Sequence, residues 1–196
     1  MHLILVRHGK PQVPSEGPTA NPLLGAIGYE QARVAAEALR HEPIERIISS
    51  GMQRADATAA PLAELLGMPI DIIPDLGEID RWGGSYASIE MLRAEGGSEW
   101  QRFKDDPLGF FGVNAAAFRA GVLRGFAQVL AGPQRTVAVF THGFPINIIL
   151  AHALGIAHDA RFVPAYASFT RLAGKSVDAL TVVSVNESGH VPGVLK

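Results

Sequence analysis

Leu3-Ile4-Leu5-Val6-Arg7-His8-Gly9 begins with four consecutive aliphatic residues and closes on a cation, an imidazole and a glycine. The aliphatic run reads as a buried strand. An arginine and a histidine at its end are poorly placed for a core and well placed at the rim of a sheet, where α/β proteins hold their ligands. At such a rim the histidine suits a nucleophile and the arginine a phosphate clamp.

The same grammar recurs late in the chain. Thr136 to Thr141 alternates around Val137, Val139 and Phe140, and is followed by His142-Gly143. In a parallel sheet both strand ends open onto one edge, so His8 and His142 would meet there. The glycine after each lets another group approach the backbone closely. Either histidine alone reads as an ordinary rim residue; two after matched strands read as one site.

Outward from these two strands, elements alternate. A helix is expected over residues 27–40, where Ile27, Gln31, Val34, Ala35, Ala38 and Leu39 share a stripe. A strand follows at 46–49, then a helix at 52–66 with Pro61 inside it, which should kink or split it. Residues 70–73 make a third strand, ended by Pro74. Asn114 caps a long helix to about Leu130, with Phe118, Val122, Phe126 and Val129 on its apolar face. Pro145 suits the first turn of a helix that ends near Gly155. Residues 169–172 and 180–185 are two strands joined too closely for a helix, hence antiparallel. This order predicts α/β layers around a mainly parallel sheet.

Two stretches are less regular. Residues 10–26 hold Pro11, Pro14, Gly17, Pro18, Pro22 and Gly25 and read as a long loop. Residues 75–113 read as an excursion over the end of the sheet. Within it, a helix is expected at 85–93, a capping box at Ser98 and Gln101 for a helix through Lys104, and a loop with exposed aromatics at 106–112.

The whole chain of 196 residues suits one domain with one sizeable core. Its 17 basic and 19 acidic residues leave a net charge of -2, so no broad basic surface is available for nucleic acid or an anionic membrane. With no cysteine, disulfides, thiolate metal sites and cysteine nucleophiles are excluded. No signal peptide and no apolar run of membrane-spanning length are read at either end or between. The expectation is a cytoplasmic protein that takes a small phosphorylated substrate, with a homodimer left open.

Further residues can carry chemistry at the shared edge. Arg54 follows the second strand, near a helix start, and would place a second guanidinium there; the bland alternative is a solvated surface arginine. Arginine's planar fork matches phosphate oxygens, and Ser50 or nearby backbone N–H groups could assist. Asp75, Glu78 and Asp80 follow the third strand, and each is a candidate general acid. A bound phosphate would raise the pKa of any of them, which suits proton donation to a leaving group. Metal binding competes for these residue types. No His-x-x-x-His pair or Asp-rich loop is present, and His142 and His152 are too far apart along a helix to share an ion, so no metal and no cofactor is expected.

Taken together, Arg7-His8-Gly9, Ser50-x-x-x-Arg54-Ala55-x-x-Thr58-Ala59, Leu76-x-Glu78 and Thr141-His142-Gly143 resemble the histidine phosphatase superfamily, which includes cofactor-dependent phosphoglycerate mutases and fructose-2,6-bisphosphatases. Pro22-Leu23, Gly28-x-x-Gln31-Ala32, Asn186 and His190 extend the resemblance over nearly the whole chain, residues 83–113 fitting least. The resemblance implies a three-layer α/β/α sandwich, mostly parallel with one antiparallel strand, in a single domain with residues about 80–113 as a cap over the active site. It implies His8 as the nucleophile that becomes a phosphohistidine, Arg7, Arg54 and His142 as phosphate-binding groups, and Glu78 as the acid and then the base. His142 also belongs to the catalytic set, stabilising transition-state charge. The chain departs from the pattern at Trp82, where a glycine is frequent, and at Gly112-Val113-Asn114, where phosphatase members often carry Gly-Glu-Ser. Residues 83–113 are net acidic, with Arg93, Arg102 and Lys104 as their basic residues. That favours a metal-independent phosphomonoester hydrolase over a phosphoglycerate mutase. A leaving group with apolar parts could pack on Trp82 or Phe110, although ordinary packing explains those rings better. A non-catalytic phospho-ligand binding module is the third reading.

Overall fold

The computed structural model describes residues 1–12, 21–82 and 89–195. Six strands form one sheet: β1 (His2–Arg7), β2 (Arg46–Ser49), β3 (Ile70–Ile72), β4 (Thr136–Thr141), β5 (Phe169–Gly174) and β6 (Leu180–Glu187), in the order β3-β2-β4-β1-β5-β6. β1 runs parallel to β4, and β2 parallel to β3 and β4. β5 is antiparallel to both β1 and β6, so it is the single strand running against the rest.

Strand alternation distributes the core over two faces. Leu3, Leu5, Ile48, Val137 and Val139 point to one side and Ile4, Val6, Ile47, Ala138 and Phe140 to the other. The first face is covered by Phe118, Val122, Phe126 and Val129 of α6 (Ala115–Leu130) and by Ile146, Ile149 and Leu150 of α7 (Gly143–Leu154). The second is covered by Ala35, Ala36 and Leu39 of α1 (Ala26–Leu39) and by Ala59 and Leu62 of α2 (Gln53–Leu66). The result is the three-layer α/β/α arrangement expected.

Local signals hold at most boundaries. Asn114 Oδ1 accepts the Ala117 N–H at 3.0 Å and starts α6, Pro145 lies in the first turn of α7, and Gly155 closes that helix in the left-handed conformation. Three expectations need correcting. Pro61, expected to kink or split α2, does not split it: the helix runs unbroken from Gln53 to Leu66. The buried side chains of Thr58, Ala59 and Leu62 on either side of it hold the helix to the sheet and outweigh one missing backbone bond. Ser98 is not a cap: α4 (Gly97–Asp105) begins after Gly96, and Gln101 Nε2 donates to Asp105 Oδ1 at 2.8 Å instead. Residues 106–112 are not simply a loop. Asp106 caps a short helix, α5 (Pro107–Phe110), by accepting the Gly109 N–H, and the aromatics turn inward. Phe103 and Leu108 are buried in the first core, and Phe110 and Phe111 pack half-buried against it.

The helix expected at 85–93 lies in part outside the described residues; α3 occupies Ile89–Glu95. The long loop at 10–26 likewise falls largely outside them. Among the described residues, no helix is long and apolar enough to cross a membrane.

Candidate active site

The site follows from strand register. Arg7 of β1 pairs with Thr141 of β4 in the parallel ladder, so the residues that leave the two strands, His8 and His142, emerge side by side. The His8 N–H donates to the Thr141 carbonyl at 3.0 Å, and the two imidazole centroids are 5.0 Å apart. β2 ends one register step lower, with Ser49 opposite Phe140, and this delivers Ser50 to the same rim. Ser50 Oγ and His142 Nε2 are 2.8 Å apart. The meeting of the two histidines is therefore a property of strand pairing.

His8 is fixed in one tautomer. Its Nδ1 lies 2.7 Å from the Gly9 carbonyl, which can only accept, so the proton is on Nδ1. That leaves the Nε2 lone pair facing the Nε–H of Arg54 at 3.3 Å. Burial, then the charges of Arg54 and Arg7, hold the His8 pKa well below the usual histidine value. The ring is thus a neutral base with an available lone pair. His142 is lowered too, by burial first and then by Arg54, His8, Arg7 and Arg81. It brings polar ring atoms to this rim more than a standing positive charge.

Arg54 is wholly buried rather than solvated. Its Nη1 and Nη2 donate to the two oxygens of Asp80, each at 3.0 Å. Arg7 reaches the other side of His8: its Nη1 donates to the Pro164 carbonyl, and its guanidinium lies 4.1 Å from the centre of the Tyr166 ring. Tyr166 also stands 5.7 Å from the His8 ring.

The three candidate acids separate cleanly. Asp75 is remote, paired with Arg124 at 2.8 Å. Asp80 is tied to Arg54. Glu78 lies between two short 3-10 turns, Pro74–Leu76 and Ile79–Trp82, with its carboxyl against the head of α7. Its Oε1 accepts the Ile79 N–H at 3.1 Å and its Oε2 the Phe144 N–H at 3.2 Å. Burial, helped by the Asp80 charge, pushes the Glu78 pKa up to about 7, against the opposing pull of Arg54 and the two amides.

The remaining motif residues brace this centre. Thr58 Oγ1 accepts the Gly9 N–H at 2.9 Å and donates to the Arg54 carbonyl at 2.6 Å, joining the loop after β1 to α2. Gln31 Oε1 accepts the Lys10 N–H at 2.6 Å. Asn186 Oδ1 accepts the Ala165 N–H at 2.7 Å, and His190 Nε2 lies 2.9 Å from the Ala167 carbonyl while its ring stacks on Phe169. These two hold the loop that carries Pro164 and Tyr166. Neither of those residues was singled out from sequence, because nothing local in Pro164-Ala165-Tyr166-Ala167 ties it to β1. Asp80 was found as an acid, and its partner Arg54 as a phosphate ligand, but their pairing was not foreseen.

The two glycines after the histidines differ in kind. A methyl on Gly9 would stand 2.5 Å from the Gly28 carbonyl, whereas one on Gly143 meets only Glu78 Oε2, at 3.7 Å. Gly9→Ala is therefore expected to lose about 1–3 kcal/mol of stability by overpacking. Gly143→Ala should unfold close to the parent; thermal unfolding of the two variants checks the contrast.

Comparison with known proteins shows the family and the fold. The profile of the histidine phosphatase superfamily (branch 1) matches residues 3–187. A bifunctional protein of Mycobacterium tuberculosis is 30% identical over 204 residues, covering 96% of this chain and 54% of that protein, so the chain spans about half the length of this relative. Phosphoserine phosphatase 1 of Hydrogenobacter thermophilus is 26% identical over 161 residues, covering 79% and 76%. Among solved structures, a mycobacterial glucosyl-3-phosphoglycerate phosphatase in complex with inorganic phosphate superposes with a TM-score of 0.74 at 22% identity, covering 97% of this chain and 99% of that one. This last likeness shows a shared fold.

Proposed function

The chain belongs to the histidine phosphatase superfamily, branch 1, and we propose that it is a metal-independent phosphomonoester hydrolase working through a phosphohistidine on His8. The observation that carries this is the state of His8: neutral, its Nδ1 proton committed to the Gly9 carbonyl, its Nε2 lone pair exposed to the Arg54 donor.

The chemistry then runs in two displacements. In the first, the His8 Nε2 lone pair attacks phosphorus, a P–N bond forms and the ester P–O bond breaks. The leaving oxygen takes the proton of Glu78, which a pKa near 7 keeps available at neutral pH. The Gly9 carbonyl accepts from Nδ1–H more strongly as the ring becomes cationic. In the second, the Glu78 carboxylate takes a proton from water, the water oxygen bonds to phosphorus, the P–N bond breaks, and neutral His8 and inorganic phosphate are regenerated. Arg7, Arg54 and His142 surround the position where the phosphoryl oxygens gather charge, and preorganised donors there supply the main catalytic effect. The described residues of the stretch from about 80 to 113 form a cap in this reading. Its support is that Phe103 and Phe111 pack edge-on against Phe144, two residues beyond His142.

A mutase needs free cations above the site for a second phosphoryl group. Arg102, one of the three basic residues in 83–113, pairs with Glu99 at 2.9 Å. The test is a hydrolysis screen over sugar phosphates, phosphoglycerates, nucleotides and phosphopeptides, with and without 2,3-bisphosphoglycerate. Release of inorganic phosphate, undiminished by a chelator, is the expected result. Phosphoryl transfer to phosphoglycerate would replace the hydrolase by a mutase, and binding without turnover or phosphohistidine would replace it by a binding module.

A further inference from the structure

We propose that Asp80 is a positioning residue of this site: by holding the two terminal nitrogens of Arg54 it turns the Nε edge of that guanidinium, and not its fork, toward His8 and the phosphoryl group. The inference rests on reading the site as a phosphoryl-transfer centre.

An arginine that binds phosphate commonly does so with its fork, two parallel N–H groups on two oxygens. Here that end is already taken by a carboxylate. Arg54 Nη1 and Nη2 meet Asp80 Oδ2 and Oδ1, both at 3.0 Å, and both side chains are fully buried. What Arg54 directs at His8 is its Nε, 3.3 Å from the His8 Nε2. Asp80 is itself pinned. Its Oδ2 also accepts the Asn21 N–H at 3.0 Å, and Asn21 Oδ1 accepts the Gln53 N–H at 2.9 Å at the start of α2, one residue before Arg54. Asp80, Asn21 and the head of α2 thus close a ring around the guanidinium. Asn21 sits in the left-handed backbone region, φ 54°, a conformation Asn tolerates better than most residues.

This arrangement does two things a surface ion pair does not. It prevents a cation on a flexible three-methylene stem from rotating, so the donor aimed at the nucleophile keeps its direction before and after phosphate enters. It also places the Asp80 carboxylate two residues from the proposed acid. The charged groups facing Glu78 are Asp80 from its own turn and Arg54 from α2, while α7 offers the Phe144 amide. Asp80 thereby offsets the pull of Arg54 on the Glu78 proton.

The direct test is a crystal structure of the unaltered chain soaked with inorganic phosphate. The expected result is phosphate at His8 with Arg54 Nε on one of its oxygens and both Nη atoms still on Asp80. An Arg54 fork that has left Asp80 for the phosphate would overturn the proposal. Phosphate absent from the His8 site would instead overturn the phosphoryl-transfer reading on which it stands. A second measurement is the pH profile of kcat/KM for Asp80→Asn. Loss of the neighbouring charge should move the upper limb down by about one pH unit, whereas a merely structural defect lowers the rate without moving the limb. A folded variant with the parental limb sinks the electrostatic half of the proposal. If the variant does not fold, the phosphate-bound structure of the unaltered chain still decides.

Discussion

His8→Ala is expected to abolish hydrolysis of p-nitrophenyl phosphate, with kcat lower by on the order of 10⁴-fold or more, the scale seen when a covalent nucleophile is removed. The loss should be chemical and not structural. His8 lies beyond the end of β1, and the strand ladder to β4 and β5 is made by residues 2–7. Arg54 keeps its bidentate partner Asp80 when the imidazole is gone. Two measurements separate the cases: the variant should unfold near the parental temperature, and it should take up no acid-labile, base-stable phosphoryl label from substrate. Turnover at the parental rate would remove His8 from the role of nucleophile.

Glu78→Gln should give the second largest effect, and one that depends on the substrate. An alkyl phosphate has a poor leaving group and needs the proton, so a loss of about 10²–10⁴-fold is expected. p-Nitrophenolate leaves unaided, so with that substrate the first step is spared and phosphoenzyme should accumulate for want of a base in the second. Equal losses on both substrates, with no phosphoenzyme accumulating on either, would argue that Glu78 acts only through the fold. The parent enzyme should show a bell-shaped pH profile. Its lower limb lies below the usual histidine value, because protonated His8 has no lone pair and its pKa is depressed. Its upper limb lies near pH 7, where Glu78 loses the proton it must donate.

The same residue makes a stability prediction. Its pKa rises from 4.5 in the unfolded chain to about 7 in the fold. The folded state therefore binds the proton more tightly, and stability falls as pH rises from 4.5 through 7. Above that window the ionised, buried carboxylate costs on the order of 3 kcal/mol. Glu78→Gln removes that cost, so the inactive variant should melt higher than the parent at pH 8 and not at pH 4. A rigid site that sacrifices stability for function behaves this way.

Much of the molecule was legible one residue at a time. The apolar runs at Leu3–Val6 and Val137–Phe140, the stripe on α6, and the caps at Asn114 and Gly155 are local features, and the structure keeps each within a residue or two. Where reading failed, a distant neighbour had overruled the local signal. Pro61 stays inside α2 because the sheet beneath holds the helix. Phe110 and Phe111 are drawn inward because Phe144 of α7 lies where they can reach it, and nothing in residues 106–112 announces that.

The sequence by itself determined which elements form and which residue types stand at their ends, because hydrophobic period and turn chemistry act within a few residues. It placed Arg7, His8, Arg54, Glu78 and His142 each just beyond a strand or at a helix head. Only the tertiary structure decided how they act on one another. The Arg7–Thr141 register sets the two histidines side by side, the Gly9 carbonyl chooses the tautomer of His8, and Asp80 takes the fork of Arg54. Charge state depends on the same packing, since burial is the largest cause both of the Glu78 carboxyl pushed up to about 7 and of the two histidines held well below their usual value. Burial is a property of the packed whole, and no single stretch of chain carries it.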